Sequence, residues 1–230
     1  MPVVVHRSKR YQEAAKKVAP TPLTVAAAVD ALKTLKPTKF DQSVEVIFSL
    51  GIEPTQADQS VRSSLSLPHG IGKSKRVVAF CPDHLAPVAT AAGAIRAGGQ
   101  ELVAAIEKEN FTDFDVAVAT PDMMRFVGRL GKILGPKGLM PSPKAGTVTP
   151  DIAAAVKEYA AGKIEFRNDT GGNIHCVVGK VSFTASDLID NITAMLNQLR
   201  KMKPQTAKGH FFRKVIIKGT MTPAVLLSVQ

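Results

Sequence analysis

The side chains able to do chemistry are present but badly spaced for an enzyme. Gly72-Lys73-Ser74 ends like a phosphate-binding loop, yet that loop needs glycine at position 67, where Leu67 stands. Gly70 and Gly72 give G-x-G, but Lys75 occupies the place of the third glycine. The pair also precedes an apolar run instead of following one. There is no G-x-S-x-G elbow. His6, His69, His84, His175 and His210 form no H-x-x-x-H pair, which argues against zinc. Cys81 and Cys176 lie far apart in the apolar runs VVAFC and IHCVV, and read as small buried hydrophobes in a reducing compartment. A nucleotide-dependent enzyme is the competing reading for the glycines, and the missing third glycine and absent acid–base cluster count against it. No catalytic residue, metal or cofactor is expected.

What remains is cationic chemistry. Lys and Arg number 30 against 19 Asp and Glu, a formal net charge of +11, which suits a polyanionic partner. From Met123 to Pro150 the chain carries Arg125, Arg129, Lys132, Lys137 and Lys144 and no acidic residue, interleaved with glycine and proline. That composition is too basic for a core and too broken for a long helix. It reads as the end of a helix followed by an ordered basic loop that packs through Leu130, Ile133, Leu134, Leu139 and Met140. After Asp190 there is again no acidic residue, and Arg200, Lys201, Lys203, Lys208, Arg213, Lys214 and Lys218 make a one-sided footprint for phosphate. No stretch approaches the ~18 apolar residues of a membrane span. The apolar run in MPVVVHRSKR is too short for a signal peptide. These features suit the bacterial-type cytoplasm and are compatible with a processed organellar form.

Those residues must be positioned by two kinds of architecture. At the start, residues 7–18 read as a basic helix. Thr24 caps a second helix with Val25, Ala28, Val29 and Leu32 on one face, ended by Pro37. SVEVIFSLG then alternates as a half-buried strand, and Val61, Ser63, Leu65 and Leu67 alternate again. The middle changes character: apolar strands at 76–81 and 114–119, an Ala-rich helix over 83–96 stopped by Gly98-Gly99, and a helix over 100–109. Thr120-Pro121 and Thr149-Pro150 each read as a helix start. This predicts a small parallel α/β, Rossmann-like unit covered on both faces. From Gly162 half-polar strands return as a hairpin around Gly171-Gly172. Ser186 caps a long helix with a Leu188, Ile192, Met195, Leu196 and Leu199 stripe, and two strands close the chain. The ends are alike in type: helices over an open antiparallel sheet. The expected organisation is therefore a main domain of residues 1–69 plus 158–230, with 70–157 inserted. The charge follows it: the middle has 11 cations against 8 acids, the remainder 19 against 11.

Six blocks, in order, carry a resemblance. KFDQSVEV, SLPHGIGK, FDVAVATPDMM, GRLGKILGPKGLMPSPKAGTV, GKIEFRNDTGGNIH and AKGHFFRKV closely resemble the L-one family of large-subunit ribosomal proteins, over nearly all of the chain. The resemblance implies the same two-domain fold and a non-enzymatic, rRNA-binding protein. Such a protein forms the mobile stalk beside the tRNA exit site, assists release of deacylated tRNA, and represses translation of its own mRNA. It implies large-subunit rRNA, exit-site tRNA and that mRNA as partners, and a monomer outside the ribosome. By the same resemblance, Lys39, Phe40 and Ser43 contact rRNA at the start of the first strand. Arg167, Asn168 and Asp169 do so from the following turn, with His175 either facing RNA or packing. Lys208, Gly209 and Arg213 form a phosphate-facing segment, and Thr220-Met221 an apolar contact to sugar and base edges. Arg129, Lys132, Lys137 and Lys144 are candidates for tRNA or secondary RNA contact. The family's turn continues with Lys where Thr170 stands, and with Gly where Thr222 stands. A side chain at 222 would push RNA back.

Overall fold

The computed structural model describes residues 7–35, 38–56, 58–109, 111–207 and 209–229. In chain order the elements are helices α1 (Lys9–Lys17) and α2 (Val25–Lys33), strands β1 (Ser43–Leu50), β2 (Arg62–Leu65) and β3 (Val77–Phe80), helix α3 (Ala86–Ala91), strand β4 (Arg96–Gly98) and helix α4 (Gln100–Glu109). Then come β5 (Val116–Ala119), short helices α5 (Met124–Val127) and α6 (Gly131–Leu134), α7 (Ile152–Ala160), β6 (Ile164–Arg167), β7 (Asn173–Lys180), α8 (Ala185–Lys201), β8 (Phe212–Gly219) and β9 (Val225–Leu227). The chain clusters into two compact units: a terminal unit of Met1–Val61, Leu67–Gly72 and Phe166–Gln230, and a middle unit of Arg62–Ser66 with Lys73–Glu165. Residues 62–66 and 158–165 thus cluster with the middle of the chain.

The terminal unit is a two-layer structure. Its sheet has the order β7-β1-β8-β9, antiparallel throughout. Alternation in β1 sends Val44, Val46, Phe48 and Leu50 to the buried face, opposite Ile174, Cys176 and Val178 of β7 and Val215 and Ile217 of β8. Helices α2 and α8 cover that face with Ala28, Val29, Leu32, Leu188, Ile192, Met195 and Leu199. The apolar stripe expected on the long helix is therefore core. The cap of α8 differs from the reading of the sequence: Thr184, not Ser186, accepts the Asp187 amide at 3.2 Å. Ser186 lies one residue inside the helix and bonds the Thr184 hydroxyl. Pro37, read as the end of α2, lies outside the described residues.

The middle unit holds a parallel sheet of order β4-β3-β5. Successive residues of β3 serve opposite faces, so both must be covered. Val77 and Ala79 join Val118, Ala89 of α3 and Ile152, Val156 and Tyr159 of α7. Val78 and Phe80 join Ala117, Ala119, Leu102 and Ile106 of α4, and Val127, Leu130 and Leu134. The architecture is α+β and α/β: an antiparallel two-layer unit and a separate small parallel α/β unit.

Four local expectations are corrected here. The helix over 83–96 stops at Ala91, and Arg96–Gly98 is instead an edge strand. The Ile95 amide donates to Val77 and the Cys81 amide to Gly98, so ladder pairing overrides the helical preference of the alanines. Gly98-Gly99 therefore ends a strand, not a helix. Thr120 caps nothing: its hydroxyl is buried without a partner among the described residues, and α5 begins later, at Met124. Helix α7 is capped by Asp151, which accepts the Ala154 amide at 3.1 Å, where Thr149-Pro150 had been read as the start. Finally, β6 and β7 are not a hairpin. β6 pairs with β2 and β7 pairs with β1; an isolated Asn168–Ile174 bridge and the Asp169–Asn173 turn bonds link the two segments.

Candidate nucleic-acid interface

The uncovered face of the terminal sheet is set by the other half of the alternation. Ser43, Glu45, Ile47 and Ser49 of β1 point outward and are half-buried. They lie beside Asn173, His175 and Val177 of β7 and Lys214, Ile216 and Lys218 of β8. The resulting surface mixes short apolar groups with cations. Glu45 orders its middle: its carboxylate meets Lys218 Nζ at 3.1 Å and His175 Nδ1 at 3.3 Å. His175 is exposed and does not pack in the core.

The expected contact residues fall into two groups, at opposite ends of β1. An eight-residue strand separates them by about 23 Å. At the Ser43 end, Lys39 and Phe40 are exposed, and Thr220 and Met221 follow β8. The groups are stitched together there. The Thr220 hydroxyl accepts the Ser43 amide (3.2 Å), Lys180 Nζ donates to Ser43 Oγ (3.0 Å), and the Met221 amide donates to Gln42 Oε1 (2.8 Å). Phe40 and Met221 are each 52 % exposed, unusual for large apolar side chains that nothing in the core requires. Thr222 lies on the inner side of the same turn. Its side chain is buried, and its hydroxyl accepts the Gly219 amide at 2.7 Å. It shapes the turn from inside.

At the other end stand Arg167, Asn168, Asp169, Gly209 and Arg213. The Gly51 amide donates to the Phe211 carbonyl (2.7 Å) and the Leu50 amide to Gly172 (3.0 Å), so the two loops meet the end of the same strand. Lys208 lies outside the described residues. Asn168 is half-buried and its Oδ1 accepts the Val61 amide at 2.8 Å. Asp169 accepts the amides of Gly171 (2.8 Å) and Asn173 (2.7 Å) and the Asn173 side-chain amide (3.2 Å). These bonds, the Asn173 amide first, hold its carboxyl below the usual carboxylate range. Asp169 is thus a turn-maker that aims Arg167 and Thr170 outward. Gly172 completes the turn at φ 76, a conformation that favours glycine.

A depressed carboxyl stabilises the fold above its unfolded pKa and loses that contribution as pH falls through the folded one. The turn should therefore hold until the pH drops below about 4. Asp169→Ala should speed amide exchange at Gly171 and Asn173 at neutral pH, whereas Asp169→Asn, which keeps the acceptor oxygen, should preserve most of the protection. Equal protection in the alanine variant would mean the turn is held by other means.

The basic residues of the middle unit are placed as an ordered loop. Leu130 and Leu134 are buried, while Arg129, Lys132, Lys137 and Lys144 are all exposed. Lys137 Nζ donates to the Thr112 hydroxyl. Tyr159, fully buried, donates its hydroxyl to the Ala145 carbonyl at 2.6 Å and so fixes the turn that presents Lys144. Gln42, Glu45, Val177 and Lys180 join this surface through the structure alone, whereas Lys218 belongs to the basic run after Asp190. The alternation of SVEVIFSL contains the signal for Glu45, but nothing local marks Gln42 or Lys180. Among the described residues no cluster of His, Cys, Asp or Glu is placed to hold a metal ion, and no helix is long and apolar enough to cross a membrane.

The terminal unit thus presents an open sheet face backed by helices, and the separate α/β unit carries an ordered basic loop. The profile of the family described as "Ribosomal protein L1p/L10e family" matches residues 32–223, and the chain belongs to that family. It is similar to the large ribosomal subunit protein uL1 of Kosmotoga olearia, 51% identical over 97% of each chain. It is also similar to those of Thermosipho melanesiensis (48%, over 95% of this chain and 94% of the relative) and Fervidobacterium nodosum (47%, over 97% and 95%). The protein is a bacterial-type, non-enzymatic constituent of the large subunit of the cytoplasmic ribosome.

Proposed function

We propose that the terminal unit grips a large-subunit rRNA hairpin along the open face of its sheet, with one contact group at each end of β1. The carrying observation is the pair of clusters about 23 Å apart, Phe40 and Met221 at one end and the Arg167–Asp169 turn with Arg213 at the other. Cations meet phosphates, while exposed Phe40 and Met221 meet bases and sugars in unpaired or shallow-groove regions. Glu45 keeps Lys218 and His175 at a fixed spacing. The middle unit, 70–157 in the organisation read from the sequence, is part of the mobile stalk. There Arg129, Lys132, Lys137 and Lys144 meet exit-site tRNA and assist its release. The same face represses translation of the protein's own mRNA where that mRNA mimics the rRNA site. Outside the ribosome the protein is a monomer.

The test is binding to the large-subunit rRNA stalk fragment against a scrambled hairpin across a salt series. A preference for the stalk fragment that persists at physiological salt is expected. Equal binding to both, fading steeply with salt, would reduce the charge to non-specific attraction and overturn the reading.

A further inference from the structure

Helix α1 is poorly explained by stability. It has nine residues, KRYQEAAKK, and buries only Ala14. A helix that short is marginal on its own. Two bonds seat it: Ser8 caps it by accepting the Tyr11 amide at 3.3 Å, and Arg10 donates to the Met221 carbonyl at 2.9 Å. The second bond ties α1 to the exposed turn that presents Met221. Between the helix and that turn lies a groove of about 450 Å³, lined among others by Arg7, Arg10, Tyr11, Lys218, Thr220 and Met221. That volume is within the range of small-ligand sites. The Arg7 guanidinium lies over the Tyr11 ring at 5.0 Å, and among the described residues neither Arg7 nor Arg10 forms an ion pair. Lys218 does, with Glu45. The groove therefore offers uncompensated positive charge beside an aromatic face and a flexible apolar side chain. Among the described residues no carboxylate lines it.

We infer that this groove takes a single unpaired RNA nucleotide, its phosphate held by Arg7 and its base laid against Tyr11 and Met221. The inference rests on the RNA-binding reading of the sheet face and extends it past the edge of the sheet. It explains why a helix with almost no core is docked beside Met221. Charge selects a polyanion, the aromatic ring selects a base free of its stack, and both are needed together.

The probes are the stalk rRNA fragment and a fully paired counterpart of the same length. Arg7→Ala should weaken binding to the stalk fragment and lower the slope of log affinity against log salt by about 0.7, one single-strand phosphate contact. Tyr11→Ala should weaken the same fragment about tenfold with no change of slope. Tyr11→Phe, which keeps the ring, should bind as wild type, separating stacking from any loss of fold. Tyr11→Ala should leave the paired counterpart unaffected. Wild-type affinity in both alanine variants, with the stalk preference intact, would overturn the groove and leave the sheet face standing. Loss of the stalk preference in the wild-type protein would overturn both.

Discussion

Asn191→Leu is expected to destabilise the terminal unit by about 3–5 kcal/mol. Asn191 is wholly buried in α8, inside an otherwise apolar stripe. Its Nδ2 donates to the Val178 carbonyl at 2.8 Å and the Gly70 carbonyl at 3.0 Å, and its Oδ1 accepts the His69 amide at 3.2 Å. The need for these bonds comes from the sheet. The β1–β7 register shifts between Val44 and Glu45, and Val178 falls in that bulge with no residue opposite it. Leucine would leave one amide and two carbonyls without partners, each costing about 1–3 kcal/mol when buried. Some relaxation toward water offsets the sum, so the lower half of the total is the expected outcome. Asn197, exposed on the same helix, supplies the control: Asn197→Leu should change stability by about 0.5 kcal/mol or less. Urea unfolding would show a lowered midpoint for Asn191→Leu at unchanged slope. An unaltered midpoint would mean that the bulge carbonyl does not depend on Asn191.

The same residue shows where the sequence was legible and where it was not. The spacing of Leu188, Ile192, Met195, Leu196 and Leu199 reveals α8, and the alternation of Val44, Val46, Phe48 and Leu50 reveals β1, because burial on one face imposes a period. Asn191 breaks the stripe, and no local rule says which carbonyl it serves. Caps were missed for a related reason. In Thr184-Ala185-Ser186 either hydroxyl can cap, and only the backbone path decides. Arg96–Gly98 has no strand propensity; it is a strand because β3 offers an open edge. At the interface, Phe40 and Met221 came from family resemblance. Gln42, which holds the Met221 amide from 179 residues away, is invisible to any reading of local pattern. Thr222 stands where the family resemblance leads one to expect glycine, and only the fold shows that its hydroxyl turns inward to accept the Gly219 amide.

Met221→Ala should weaken binding to the stalk rRNA fragment about tenfold, and Phe40→Ala by a similar factor. Both side chains are half exposed, so removing them forfeits little core, and stability should change by about 0.5 kcal/mol or less. The salt slope should not move, because no charge is lost. Lys39→Ala makes the contrast: a smaller loss on every RNA sequence, with the slope reduced by about 1. This pairing separates recognition from attraction at one end of the sheet. The backbone supports a local effect, since the Met221 amide stays on Gln42 and its carbonyl on Arg10 whatever the side chain. If the two losses multiply in the double variant, Phe40 and Met221 contact different nucleotides; a smaller combined loss would place them on one. Should Met221→Ala and Phe40→Ala both bind as wild type, recognition would shift to the far end of β1, where Arg167 and Arg213 would have to carry it.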